Sequence, residues 1–525
     1  MEVQRSPNLS AGHVLAITAA LTVVAVLVQG YHPFAEDGGL YLAGVKKILN
    51  PSLYPSWTAF VVTQTRFSLF APAVASLVHF FRLNLMVAML LIYIASIWST
   101  LAAAWLLAAR CFGKTEACIG AVSVLALWLA MPVAGTSLML MDPYVTARSI
   151  STPCGLCALV GAIEVRRHLN YSSTIPAWKG AAYLACAVIA EIAHPLMATY
   201  ALACVVLYLA LSLPGHKRRI VVTGGLVALA LAAAACISYL APPQSREYIQ
   251  AAQTRAYWFV ETWQWYELLG LVGPPCVVAA IALRYAGDTR EIIRIISRTV
   301  TLASIVAIAI AVMFARVSSE SYAVARLQPL RVFQFIYLIL LVVLGGFVGA
   351  TFLKRKLWRW ACLFIVSAGG MLFVQMQTFP HSAHLEFPWS RSNNGWQQAF
   401  LWIREHAPND ALFALDARYI SAAGEDSQNF RAMAERSALP DYSKDGGLAG
   451  IAPELARQWS YGESVQTHLD RVSDSSRVEK LAPLAVSWIV LSSGAETDLP
   501  CPYKNESVKV CRMSESLYEA ELSNR

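Results

Sequence analysis

Long apolar stretches alternate with short polar ones from residue 11 to about residue 375, and there the alternation stops. The runs that read as spans are roughly 11–29, 85–108, 117–132, 153–165, 180–193, 195–213, 220–241, 268–284, 300–315, 331–350 and 357–375. Several are shorter than the ~20 residues that a perpendicular crossing needs, so their ends reach into flanking polar positions. A further stretch, 67–82, contains Pro72 and His79 and predicts a half-inserted or interfacial helix. Residues 38–49 are amphipathic, with Lys46 and Lys47, a pattern suited to lying in the interface. Beyond residue 375 the periods change. Gly395 to His406 has helical spacing, with Trp396, Phe400 and Ile403 on one face. Residues 411–415 predict a strand ending at Asp416, residues 427–437 a helix, and residues 486–491 a second strand. The fold class is therefore a polytopic α-helical membrane domain over 1–375, followed by a small soluble α/β domain over 376–525.

Composition agrees. Of 525 residues, 57% are hydrophobic and 14% charged, and a mean hydropathy of +0.50 is that of a multi-pass membrane protein. The formal net charge of +8 is no nucleic-acid footprint, because the basic residues sit in short clusters between apolar runs. Arg110/Lys114, Arg166-Arg167-His168, His216 to Arg219, Arg284 to Arg298 and Lys354-Arg355-Lys356 fall in alternate connections. The positive-inside rule makes those cytoplasmic, which predicts eleven spans, a cytoplasmic N-terminus and an external C-terminal domain. Counting 67–82 as a full span would break the alternation. The first run lacks a small-x-small cleavage site followed by a soluble chain and reads as a retained helix. The outer connections are then 30–66, 133–152, a tight turn from Glu191 to Pro195, 242–267 and 316–331, and they hold most of the unusual polar residues.

Glu36 and Asp37 follow the first span directly, beside His32 and ahead of Gly38-Gly39. Adjacent acids near an imidazole at a membrane face suit proton or metal chemistry; the plain alternative is a polar loop opening on a glycine turn. Asp37 is the first choice for a base, with Glu36 close behind. Asp142 and Arg148 either position substrate or cap the next span. His194, with Glu191 three residues before it, either takes part in metal or proton chemistry or satisfies two helix ends. If a metal is bound, Asp37, Asp142 and His194 are its candidate ligands. Arg326 and Arg331, with Arg246 and Arg255, are outer-face guanidiniums whose forks match phosphate oxygens; singly, each reads as snorkelling to headgroups. Tyr257 and Trp258 belong to an aromatic cluster that is either an interfacial belt or a platform for sugar faces. The charged segment from Glu435 to Asp445 is either ordinary surface or a second wall over the membrane site. Most of the eleven cysteines lie in apolar spans; Cys501 and Cys511 bracket a short polar loop and suit a hairpin disulfide in an oxidising compartment.

No GxxxxGK[ST], HExxH or GxSxG occurs, nor a pair of CxxC motifs, so ATP-driven transport, zincin and hydrolase-elbow chemistries are disfavoured. The first-loop acids, the amphipathic stretch after them and the soluble tail together resemble the GT-C superfamily of membrane glycosyltransferases. The segments that carry the likeness are HPFAEDGGLYLAG (32–44), DPYVTARSISTP (142–153), QPLRVFQFIY (328–337), WIREHAPNDALFALD (402–416) and FRAMAERSALPDYSKD (430–445). The resemblance implies a bacterial inner-membrane enzyme acting at the periplasmic face on a polyprenyl-phosphate sugar. Asp37 or Glu36 would deprotonate the acceptor hydroxyl of a lipid, glycan or protein. Arg331, with Arg326 or Arg148, would hold the donor phosphate, and His32, Asp142, His194, Tyr257 and Trp258 would position substrate. Some members of the superfamily need a divalent metal. The rival readings are a transporter or flippase of a lipid-linked substrate, which predicts duplicated halves and ionisable residues deep in spans, and a non-catalytic assembly protein.

Overall fold

The computed structural model describes residues 9–171, 175–284, 287–422 and 426–513. Each of the eleven apolar runs is helical. Among the described residues, seven helices are long and apolar enough to cross a membrane: Ala11–Gln29, Leu85–Phe112, His216–Leu240, Trp265–Ala282, Glu291–Phe314, Ala323–Leu353 and Leu357–Thr378. The expected count of eleven is thus reduced. Thr115–Leu127 and Pro195–Leu211 are apolar but short. Ala177–Ala193 has 17 residues, and Ala147–Tyr171 carries Arg148, Glu164, Arg166 and Arg167 on either side of its apolar middle. The short helix Thr115–Leu127 is seated by close backbone approach. A Cβ on Gly120 would come within 2.4 Å of the Gly345 carbonyl oxygen, so only small residues let these helices meet. The 67–82 stretch resolves into Phe70–Phe81, set at 90° to Ala59–Thr65; counted as one broken span, this pair would make eight.

The tail forms a five-stranded mixed sheet. Its strands are β1 (Leu412–Ala414), β2 (Ser437–Ala438), β3 (Trp488–Ser492), β4 (Tyr503–Lys504) and β5 (Val508–Arg512), in the order β2-β1-β3-β5-β4. β1 pairs in parallel with β2 and β3, and β5 is antiparallel to β3 and β4. Cys501 and Cys511 are joined as a disulfide. The helix expected over 427–437 is only Phe430–Ala434. Glu435 takes a left-handed φ of 53° and ends it, and the chain turns into β2. Arg431 faces inward there and donates to both carboxylate oxygens of buried Asp445 at 2.8 Å, so this charged segment is interior rather than ordinary surface.

The tail packs onto the membrane part through the first connection. Tyr31 N–H donates to the His384 carbonyl and Glu386 N–H donates to the Tyr31 carbonyl, both at 2.9 Å. The amphipathic stretch is the helix Glu36–Leu49, but Lys46 does not reach for headgroups. Its ammonium donates to the Ala432 carbonyl at 2.8 Å and pairs with Glu435 at 2.6 Å, so this helix is clasped by the tail. Edge-to-face packing of Tyr41 on Phe70 closes its other side.

Candidate functional site

Glu36 and Asp37 open the Glu36–Leu49 helix, where the free N–H groups of a first turn favour negative charge. Glu36 has a φ of 48°, a left-handed backbone that costs on the order of 1–3 kcal/mol and turns the chain abruptly into the helix. Gly38 and Gly39 are required by contact. A Cβ on Gly38 would lie 2.8 Å from Tyr144 Cβ, and one on Gly39 would lie 2.2 Å from Asn429 Cβ. The two glycines therefore let the second outer connection and the tail close on the acid pair from opposite sides. The Asn429 N–H also donates to the Phe34 carbonyl at 3.2 Å.

The acids face a cavity of about 660 Å³. All five connections expected on one side of the bundle contribute to it, together with residues 443–454 of the tail. Among its walls are Tyr144 and Arg148, His194, Arg255 and Tyr257, Arg326 and Arg331, and Lys444. Five basic and three acidic side chains line it, so positive charge is in excess. The carboxylates are tied down. Lys444 forms an ion pair with Glu36 and reaches Asp37 Oδ1 at 3.3 Å. Arg148 donates to Asp142 at 2.7 Å and stands 3.7 Å from Asp37 Oδ2. The Asp37 side chain keeps 39% exposure, all of it within a surround of protein. That enclosure alone would raise its carboxyl, but the Lys444 ammonium and the Arg148 and Arg331 guanidiniums outweigh it and pull the pKa down to about 2. Burial works against the charge on Lys444 as well, and Glu36 and Asp37 hold it above the ordinary lysine range. Asp142, buried behind Arg148, is shifted upward by desolvation, which its ion pair only partly offsets.

Like Arg255 and Arg326, Arg331 has no carboxylate within ion-pair distance among the described residues; unlike theirs, its Nε is buried with no hydrogen-bond partner. Its guanidinium sits 5.8 Å from the centre of the Tyr257 ring. His194 also faces the cavity, and its Nδ1 accepts from the Met197 N–H at 3.5 Å, capping Pro195–Leu211. Burial, then Arg148 and Arg331, lower its pKa to about 3, so the ring is neutral at pH 7.

No family model matches the sequence, and no curated protein matches it. A solved structure similar to this chain is the single-particle cryo-EM structure of the arabinofuranosyltransferase AftD from Mycobacteria. The two are 14% identical with a TM-score of 0.45, over 93% of this chain and 35% of that one. The chain thus spans about a third of the length of that structure.

Three residues expected to position substrate, His32, Asp142 and Trp258, are not in the cavity wall. His32 is fully buried, stacks on Phe379 with ring centres 4.0 Å apart, and faces Glu386 at 3.3 Å. Trp258 is 1% exposed and packs against Gly450 of the Lys444–Ile451 helix. Asp142 lies behind Arg148, to which it is hydrogen-bonded. Asp37, Asp142 and His194 do not converge, and among the described residues no three His, Cys, Asp or Glu side chains are grouped as metal ligands. Of the three acids that line the cavity, Glu36 and Asp37 are already matched by an ammonium and a guanidinium and Glu454 is grouped with no further ligand among the described residues, so this donor set does not fit a divalent cation. Lys444 was visible in the sequence only as one charge within a dense segment, and nothing marked Gln64, Ser68 or Ser137, which also line the cavity.

Proposed function

We propose that the chain is a GT-C-type glycosyltransferase that moves a sugar from a polyprenyl-phosphate donor to an acceptor hydroxyl in this cavity. The observation that carries the reading is the meeting within one cavity of an ionised acid, Asp37, with a buried guanidinium, Arg331, that has no acid within ion-pair distance among the described residues. Transfer of this kind needs a proton acceptor beside the incoming hydroxyl and cationic donors around the departing phosphate. The acceptor oxygen attacks the anomeric carbon and its proton passes to Asp37. The bond from that carbon to the phosphate oxygen breaks, and the polyprenyl phosphate leaves with the electron pair. Arg331 receives the phosphate, with Arg326 beside it and Arg148 holding Asp37 in place. Tyr257 and neutral His194 line the space for the sugar. The resemblance of the 32–44, 142–153 and 328–337 segments to the superfamily supports the same assignment. In this reading the N-terminus is cytoplasmic and the cavity opens outward from a bacterial inner membrane.

The test is Asp37→Asn and Glu36→Gln in cells that make the protein, with profiling of glycans and glycolipids. The expected result is loss of one glycosylated species at wild-type protein level. Unchanged profiles from stably produced variants would sink the proposal.

A further inference from the structure

Resting on that reading of the cavity, we infer that Lys444 is the counter-ion of the acid pair: a positioning residue, supplied by the tail, that bridges Glu36 and Asp37 and keeps both aimed into the cavity. Its partners lie some four hundred positions away in sequence, on a different part of the fold. A lysine on a surface loop would be free to swing, but this one is anchored through its neighbours. Its own N–H donates to Asp441 Oδ1 at 2.6 Å. Arg255, from the fourth outer connection, donates to the Ser443 carbonyl at 2.7 Å and the Tyr442 carbonyl at 2.9 Å. The next residue, Asp445, is held by Arg431. The turn that presents the ammonium is therefore pinned by both the membrane part and the tail before the ammonium meets the acids.

The setting also differs from an interface salt bridge that only glues two parts together. The Lys444 side chain is 15% exposed, whereas Glu36 and Asp37 keep 50% and 39%, and that exposure opens into the cavity. An ammonium has three donors; with one toward each carboxylate, the third is left for an oxygen of the substrate. The groups that act on Asp37 are Lys444, Arg148 and Arg331 as cations and Asp142 as an acid, with the neutral His194 ring and the phenols of Tyr41 and Tyr144, while Glu36 shares Lys444 with it. Arg148 is shared with Asp142, and Arg331 has the donor phosphate to hold, so Lys444 is the cation whose removal leaves Asp37 least compensated.

The experiment is an infrared pH titration of the full-length protein in detergent or nanodiscs, reading the protonated-carboxyl band and using Asp37→Asn to assign it. Lys444→Met should move the Asp37 midpoint upward by about 1–3 pH units, the effect of losing a cation within a few ångströms. Lys444→Arg should stay near wild type. The acid limb of the sugar-transfer pH profile should move with the midpoint. A midpoint unchanged in Lys444→Met overturns the inference, whatever happens to the rate. Lys444→Gln, which keeps a hydrogen-bond donor without the charge, gives the same reading if the methionine variant does not fold. Because the titration needs no turnover, a wild-type protein that transfers no sugar would overturn the functional reading while the Lys444 assignment is still judged on its own midpoint.

Discussion

The two ends of the helical bundle use charge differently. The Ala147–Tyr171 helix runs through both: Arg148 stands at the cavity, and Glu164 and Arg166 stand about four turns away, roughly 24 Å along the axis. At the far end, three guanidiniums are each matched to a single glutamate. Arg110 donates to Glu164 at 2.7 Å, Arg166 pairs with Glu291, and Arg355 donates to Glu116 at 3.2 Å. At the cavity end, Asp37 is shared between Lys444 and Arg148 and Lys444 between Glu36 and Asp37, while Arg255, Arg326 and Arg331 have no acid within ion-pair distance among the described residues. One-to-one pairs hold helix ends together and need nothing further. A shared and unbalanced set, open to a cavity, is left with charge for an incoming anion.

The comparison can be broken in several ways. Asp37→Asn removes the proposed proton acceptor, and sugar transfer measured in membrane vesicles should fall roughly 10²–10⁴-fold. Arg331→Ala removes the guanidinium whose buried Nε has no hydrogen-bond partner; donor affinity should weaken by roughly 10–100-fold, the worth of a charged hydrogen bond. Gly39→Ala forces a Cβ to within 2.2 Å of Asn429 Cβ. Thermal unfolding should show a loss of about 1–3 kcal/mol, while Gly494→Ala, where a Cβ meets nothing within 4 Å, should show none. The acid cluster also predicts a pH response. The folded pKa of Asp37, about 2, lies below the ordinary carboxylate value, so its ion pairs contribute fully above about pH 4 and fade as pH falls from there toward 2. Hydrogen exchange in the Lys444–Ile451 helix should accelerate over that window and not above it. The smallest effect belongs to the far end: Arg110→Gln should cost about 1 kcal/mol or less and leave transfer unchanged.

Apolar runs made the helices legible, and the alternation of basic clusters picked out the five connections that converge on the cavity. Short apolar runs located β1 and β3. The count of crossings was less legible, because whether a thirteen-residue helix such as Thr115–Leu127 can sit in the bundle depends on glycine contacts with a helix more than two hundred residues later. The acids of the first connection and Arg148, His194, Tyr257, Arg326 and Arg331 stood out as polar groups beside apolar runs, and all of them line the cavity. His32 and Trp258 stood out by the same signal and do not, since a loop has no period to say which way a side chain turns. The Phe430–Ala434 region misled for a different reason: a charge-rich stretch reads as surface, but Arg431 and Asp445 satisfy each other inside. Lys444 lacked any signal of its own, because its meaning comes from partners supplied by a distant part of the chain.

The most direct measurement is binding of polyprenyl phosphate to the purified full-length protein by native mass spectrometry, comparing wild type with Arg331→Ala and Arg110→Gln. The unbalanced end predicts that the lipid phosphate binds wild type and Arg110→Gln alike and binds Arg331→Ala roughly 10–100-fold more weakly. Equal binding by all three, or loss from Arg110→Gln alone, would contradict it.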